Sequence, residues 1–219
     1  MEVDRRKARE LAAQAIARGD PLDWFEELYA EAERGRAEVP WADKRVNAHL
    51  ASWPLLDKTS MRRAIVVGCG FGDDAEWLAQ QGLSVTAFDI SPTAIETCRR
   101  RFPKSRVHYR QADLLKLPRE WVEDPFDLVV DAYTVQVLPP GSAERAAAFA
   151  ALASLTGCAL VIIARGRAEG EDPGSMPWPV TADELGSVVS SGLEEAAFDD
   201  YLDDETPPVR RFRATYLRM

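Results

Sequence analysis

Three glycines at alternate positions, Gly68, Gly70 and Gly72, separate an apolar run, AIVV, from a stretch with helical spacing. Glycine at such a turn removes the Cβ that would block a sharp reversal, and it lets a ligand approach the main chain. The spacing is GxGxG, with Cys69 and Phe71 interleaved, and differs from the GxGxxG of dinucleotide sites. Asp89 stands 17 residues after Gly72, at the end of the next apolar run. A carboxylate there can accept two hydrogen bonds from a ribose diol. Asp113, in QADLL just past a third run, is placed to accept from an adenine amino group. Three carboxyl-end positions of three neighbouring strands form one crevice, and an adenosine-type ligand satisfies all three.

The helix start next to the glycines decides between adenosine ligands. Asp73 and Asp74 occupy its first turn. Two carboxylates complement the helix dipole themselves and repel a diphosphate, but they tolerate a cationic sulfonium. S-adenosylmethionine is therefore expected over a nicotinamide dinucleotide. Transfer of a methyl group from a sulfonium is an in-line displacement that needs alignment and water exclusion, with no metal and no covalent nucleophile.

The acceptor end is less sharply marked. Asp131 and Tyr133 close a fourth apolar run, FDLVVDAY, beside the position expected for the methyl. Asp131 is expected to orient the cofactor's ammonium or act as a base, and Tyr133 to line the acceptor pocket. Gln136 is a further candidate for an acceptor contact, and His49 could reach the site from the N-terminal segment. Trp24, Phe25, Trp41 and Trp178 could close an apolar lid, since aromatic faces suit a flat acceptor and a sulfonium alike. A thiol, with pKa about 8.5, is partly ionised near neutrality and needs no strong base; a phenol, near 10, profits from one.

These residues require a scaffold that brings strand ends together. Stretches read as strands at 64–68, 83–88, 107–111, 126–133 and 159–164 alternate with helical stretches at 73–81, 91–102 and upstream of the fifth strand. That alternation predicts right-handed βαβ units and a doubly wound, mostly parallel Rossmann-like sheet. Residues 193–201 and 209–217 read as two strands joined by DDETPP, an antiparallel hairpin at one edge of a seven-stranded sheet. Its acidic residues face Arg210, Arg211, Arg213 and Arg218 on the second strand, which could offset the charge. Residues 1–57 read as a helical cap and 58–219 as the ligand-binding domain. In the cap, an amphipathic helix over 4–18 precedes a second one capped by Asp20 with Pro21 at its first position.

Ala146 to Ala164 carries no charge and is long enough for a membrane span, but Ser154-Leu155-Thr156-Gly157 divides it into helix, turn and buried strand. A net charge of −9, from 27 basic and 36 acidic residues, disfavours nucleic acid and anionic membranes as partners. Cys69, Cys98 and Cys158 form no disulfide framework and no CxxC spacing, which fits a reducing cytoplasm and no zinc site. MEVDRRKARE places charges where a signal peptide needs its apolar stretch. A monomer or homodimer acting on a small molecule is expected.

The block VVGCGFGDDAEWLAQQGLSVTAFDIS, the LPP of Leu138 to Pro140 followed by Arg145, and MPWPVTADEL together resemble class I methyltransferases. More narrowly, they resemble the thiopurine and thiol (halide) methyltransferase group. The resemblance covers roughly residues 64–185. It implies a cofactor set of Trp41, Gly68, Cys69, Gly70, Gly72, Asp74, Asp89, Ile90, Asp113, Leu114 and Asp131, and S-methylation of a small thiol. Two positions depart from the group. Val46-Asn47 replaces the Thr-Pro that follows its tryptophan, and Thr156-Gly157-Cys158-Ala159 replaces its KPGG. The other readings open to this sequence are an O- or N-methyltransferase, a nicotinamide oxidoreductase, and a non-catalytic cofactor-binding or sensor module. The NPPY signature of base and glutamine amino-methyltransferases is absent.

Overall fold

A computed structural model of the chain describes residues 6–19, 22–42, 44–54 and 61–219. Seven strands form one sheet in the order β3-β2-β1-β4-β5-β7-β6. The strands are β1 (Arg63–Val67), β2 (Ser84–Asp89), β3 (His108–Gln111), β4 (Phe126–Ala132), β5 (Thr156–Arg165), β6 (Leu193–Leu202) and β7 (Arg210–Arg218). The first five pair in parallel, and β7 runs antiparallel between β5 and the edge strand β6. The sheet is thus the one the apolar runs predict, hairpin edge included.

Helices cover both faces. On one face lie α3 (Ala48–Ala51), α4 (Asp73–Gln80) and α5 (Pro92–Arg101). They share a core with Val66, Ala87, Leu128, Val130 and Val161. On the other lie α6 (Arg119–Glu123), α7 (Ala143–Leu155) and α8 (Ala182–Gly186), packed on Ile65, Val129, Leu160 and Ile162. Strands buried on both faces read as unbroken apolar runs, which is why these strands stood out. Side-chain caps fix where the helices begin. Ser91 accepts from the Ala94 N–H and Ser142 from the Arg145 N–H, while Thr181 and Glu184 form a capping box.

Two expectations change. No turn divides α7 from β5: the helix ends at Leu155 and the strand begins at Thr156. The Thr156 hydroxyl donates to the Leu152 carbonyl at 2.8 Å, so a side chain makes the closure assigned to a turn. The helices of the expected cap also pack in two places. α1 (Arg6–Ala17) and α2 (Trp24–Glu33) share a core that takes in Ala94 and Phe71, over the α5 end of the crevice. α3 packs instead beneath the hairpin, where Trp53 donates its indole N–H to Thr215 at 3.0 Å. The Asp20–Pro21 cap and the 57/58 boundary lie outside the described residues. Among those residues no helix is long and apolar enough to cross a membrane.

Candidate active site

The sheet reverses its winding between β1 and β4, where Val67 pairs with Asp131. At such a switch point the loops leave in opposite directions and a crevice opens at the carboxyl ends of the strands. The glycine loop fills this position. Its main chain is satisfied internally: Cys69 donates to the Phe88 carbonyl and Gly72 to the Cys69 carbonyl, both at 2.9 Å. Gly68, at φ 57°, is required by packing as well as by backbone, because a Cβ there would lie 2.3 Å from the Thr134 hydroxyl. A Cβ at Gly72 would lie 2.5 Å from the Tyr109 hydroxyl. Arg101 braces the loop from α5, donating to the Phe71 carbonyl at 2.6 Å and bidentately to Asp73 at 2.8 Å.

That ion pair corrects the reading of the helix start. Asp73 is paired with Arg101, which leaves Asp74, of the two, without an ion pair among the described residues. Asp74 accepts from the Asn47 N–H at 2.7 Å. Burial pushes its carboxyl up to about 6, opposed by that hydrogen bond and assisted by Asp73.

Asp89 is 5% exposed. Its Oδ2 accepts from the Gly70 N–H at 2.9 Å and its Oδ1 from the Ser91 N–H at 3.0 Å. Each oxygen keeps a second lone pair, so the carboxylate is oriented and still able to accept from a ligand. Burial drives its pKa up to about 6, against the pull of these backbone donors. Asp131 is fully buried, and neither oxygen has a hydrogen-bond partner of ordinary geometry among the described residues. Burial raises it to about 7, with the Thr134 hydroxyl and the Val135 N–H pulling the other way. Tyr133 follows at φ 69°, a strained left-handed conformation for a bulky residue. Gly68 accommodates Thr134 immediately after it.

Asp113 caps the short 3-10 turn Leu114–Lys116, accepting from the Leu115 N–H at 2.8 Å. One carboxylate oxygen is thereby committed. Leu114 belongs to the same core cluster as Phe88 and Trp121. Ile90 is half-buried at the end of β2, and its carbonyl accepts from the Gln111 side chain.

The cap approaches the loop with residues the sequence did not single out. A Cβ at Gly70 would come within 3.2 Å of the Tyr29 hydroxyl, and the Tyr29 ring meets Phe71 edge-on at 5.4 Å. Trp41, 38% exposed, donates its indole N–H to that hydroxyl at 3.0 Å. Burial and the nearby Asp89 push the Tyr29 phenol well above its usual range, so it stays protonated. Glu26 accepts from the Ser91 and Thr93 hydroxyls, both at 2.5 Å, and fastens α2 to the N-terminus of α5. Trp24 is 1% exposed and stacked on Phe25 at 4.1 Å inside the cap. Phe25 remains half-buried, edge-on to Trp41.

Gln136 makes hydrogen bonds within the fold. Its Oε1 accepts from the Arg165 N–H at 2.8 Å and its carbonyl from the Trp178 N–H at 2.8 Å, so it ties the segment after β5 to β4. Trp178 is half-buried on that segment, and its carbonyl accepts from Arg145. Arg145, 2% exposed, also donates to the Leu138 carbonyl at 2.8 Å and to Glu184 at 2.9 Å. It clamps the LPP turn to the start of α8 and has no contact with the crevice loop.

His49 lies on the other side of the opening. Its ring is 5.2 Å from that of Tyr201, on β6. The Arg211 guanidinium sits 5.0 Å over the Tyr133 ring and pairs with Asp203 and Glu205 at 2.6 Å. Arg210 and Arg213 pair with Asp200 and Asp199, while Arg218 donates to backbone carbonyls of α7 and β5. Three of the four arginines expected to offset the acidic hairpin do so. Tyr201, Tyr29, Glu26 and Arg101 were missed because their roles come from contacts between distant elements, which local spacing does not record.

The residues fit a cationic adenosine ligand. Asp131 has orphaned buried oxygens, Asp89 has spare lone pairs beside a glycine turn, and Asp74 opposes added phosphate charge. The fold is one that solved methyltransferases share. Residues 64–156 match the model of the methyltransferase domain family. A ubiquinone biosynthesis O-methyltransferase of Pseudomonas fluorescens is 35% identical over 111 residues, 49% of this chain and 43% of that one. A thiopurine S-methyltransferase of Nitrosospira multiformis is 36% identical over 66 residues, 29% and 30% of the two chains. The chain thus spans less than half the length of these relatives. A magnesium protoporphyrin IX methyltransferase from Synechocystis PCC 6803, solved with S-adenosylhomocysteine bound, superposes with TM-score 0.67 and 18% identity, covering 90% of this chain and 98% of that one.

Proposed function

We propose that this chain is a methyltransferase that uses S-adenosylmethionine to modify a small molecule, with a thiol as the preferred acceptor. The observation that carries the reading is the Asp89 carboxylate, fixed by Gly70 and Ser91 at the mouth of a glycine turn. Asp89 would accept from the ribose hydroxyls, Asp113 through its second oxygen from the adenine amino group, and Asp131 from the ammonium. Gly68, Cys69 and Gly72 would provide the close main-chain wall, with Ile90 beside the nucleoside. Tyr29 and Trp41 would cover it.

When bound, the cofactor supplies a methyl on a sulfonium, so that the acceptor forms a bond to carbon while the carbon–sulphur pair returns to sulphur. The protein's task is alignment and exclusion of water. The lid formed by Tyr29, Trp41 and Glu26 serves the second requirement. The likeness of the glycine block to thiopurine methyltransferases supports sulphur as the methylated atom. Relatives divided between oxygen and sulphur acceptors keep O-methylation as the alternative. On this reading the acceptor is diffusible and cytoplasmic, and neither nucleic acid nor a membrane takes part.

The test is transfer of radiolabelled methyl to a panel of aromatic and aliphatic thiols, phenols and amines. Label appearing in thiols supports the full reading. Label confined to phenols or amines removes the thiol preference. Cofactor binding without transfer to any of them favours a sensor role.

A further inference from the structure

We propose that the acceptor docks between Tyr133, His49 and Tyr201 as an aromatic ring bearing an ionisable O–H or S–H, and that His49 takes its proton. The proposal rests on the methyltransferase reading and adds the acceptor class and the proton's destination.

The Tyr201 hydroxyl is buried without a hydrogen-bond partner among the described residues. A buried hydroxyl left unpaired is costly and asks for a partner from outside the fold. Its ring lies 5.2 Å from His49, tilted by 56°. The backbone pins His49 on both sides: its N–H donates to the Asn47 side chain at 2.9 Å, and its carbonyl accepts from Arg213 at 2.9 Å. Asn47 in turn donates its N–H to Asp74, at the foot of the glycine turn. One short segment therefore joins the cofactor end to the hairpin end. Arg211 lies over Tyr133 with its charge matched by Asp203 and Glu205. The proposed docking place is thus flanked by aromatic rings and receives no spare charge from that guanidinium, which suits a flat neutral acceptor.

Arg211 and Arg213 from β7, Asp203 and Asp204 from the hairpin turn, and Tyr201 from β6 face the imidazole. Burial, then Arg211, favours its neutral form. A neutral imidazole accepts one proton. The X–H bond breaks toward His49 nitrogen, the electron pair stays on X, and the imidazolium later returns the proton to water. Tyr201 donates to X and holds it in place.

The chain has two histidines, His49 and His108, so their imidazole signals can be separated by NMR. Phenol, thiophenol and benzene are titrated into the full chain, with and without S-adenosylhomocysteine. Phenol or thiophenol should shift the His49 signal saturably and leave His108 unmoved, with benzene at least tenfold weaker. Tyr201→Phe should weaken the effect about tenfold, and His49→Gln should bind the probe but lose the pH dependence of its affinity. The tighter of the two probes identifies the heteroatom. No saturable shift at His49, equal binding of benzene, or an unchanged Tyr201→Phe titration overturns the proposal. If S-adenosylhomocysteine fails to bind while phenol still shifts His49, the pocket stands and the cofactor reading falls.

Discussion

Glu26 on the second helix accepts a hydrogen bond from the Ser91 hydroxyl at 2.5 Å, two residues beyond Asp89. The same carboxylate takes the Thr93 hydroxyl and N–H. The cap is therefore fastened at the point where the nucleoside would lie, and its release and the ligand's release should be linked. Glu26→Ala should cost about 1–2 kcal/mol of stability through the lost charge-assisted bonds. It should also speed S-adenosylhomocysteine dissociation roughly tenfold, an increase in koff of about 1.4 kcal/mol. Stopped-flow displacement reads the rate, and an unchanged rate with an intact fold would show that the cap does not gate the crevice.

Asp131 gives a prediction in pH. Its folded pKa, about 7, lies above its ordinary 3.8. Between those limits the folded state binds more protons than the unfolded one, so stability falls as pH rises from about 4 to about 7. Asp131→Asn removes the buried charge. It should be more stable than the parent above pH 7, by about 1–3 kcal/mol, and close to it below pH 4. Urea unfolding across pH measures the difference; a constant gap at all pH values would rule out this carboxyl as its source.

Asp74 and Asp89, both raised to about 6, should couple to the ligand in the opposite sense. A cation and a diol both favour the ionised forms, so affinity for S-adenosylmethionine should rise with pH through 6 and, with Asp131 at about 7 on the ammonium, level off above about 8. A decline of roughly tenfold or more from pH 7.5 to pH 5 is expected, since each protonated carboxyl weakens binding by up to tenfold per pH unit. A flat profile would exclude these carboxylates from the site.

Arg145 predicts a stability effect apart from the chemistry. Arg145→Met leaves the Leu138 and Trp178 carbonyls without their donor, although Glu184 keeps Arg167 at 3.3 Å. A loss of about 3 kcal/mol follows from breaking a buried pair from one side. Thermal denaturation reads it, and cofactor affinity should be unchanged.

The middle of the sheet was legible because β1, β4 and β5 are buried on both faces. AIVV and ALVIIA are unbroken apolar runs too short for a helix, and the glycines and Ser91-Pro92 mark element ends. Asp89 was legible because its place at a strand end after a glycine turn is a matter of spacing. The acceptor side was not. Gln136 carries the same side chain whether it meets a ligand or the Arg165 N–H, and only the path of the chain after β5 decides between them. Trp24 had the composition of a lid residue, but stacking on Phe25 turned it inward. Tyr29 and Tyr201 gave no local signal, since each acquires its partners from an element far away in the chain.

The most direct test of the cofactor site is calorimetric titration of S-adenosylhomocysteine and of a nicotinamide dinucleotide into the chain and into Asp89→Ala. Saturable binding of one S-adenosylhomocysteine per chain is predicted, weakened at least tenfold in the variant, with no heat from the dinucleotide. Undiminished affinity in Asp89→Ala, or binding of the dinucleotide in place of S-adenosylhomocysteine, would contradict it.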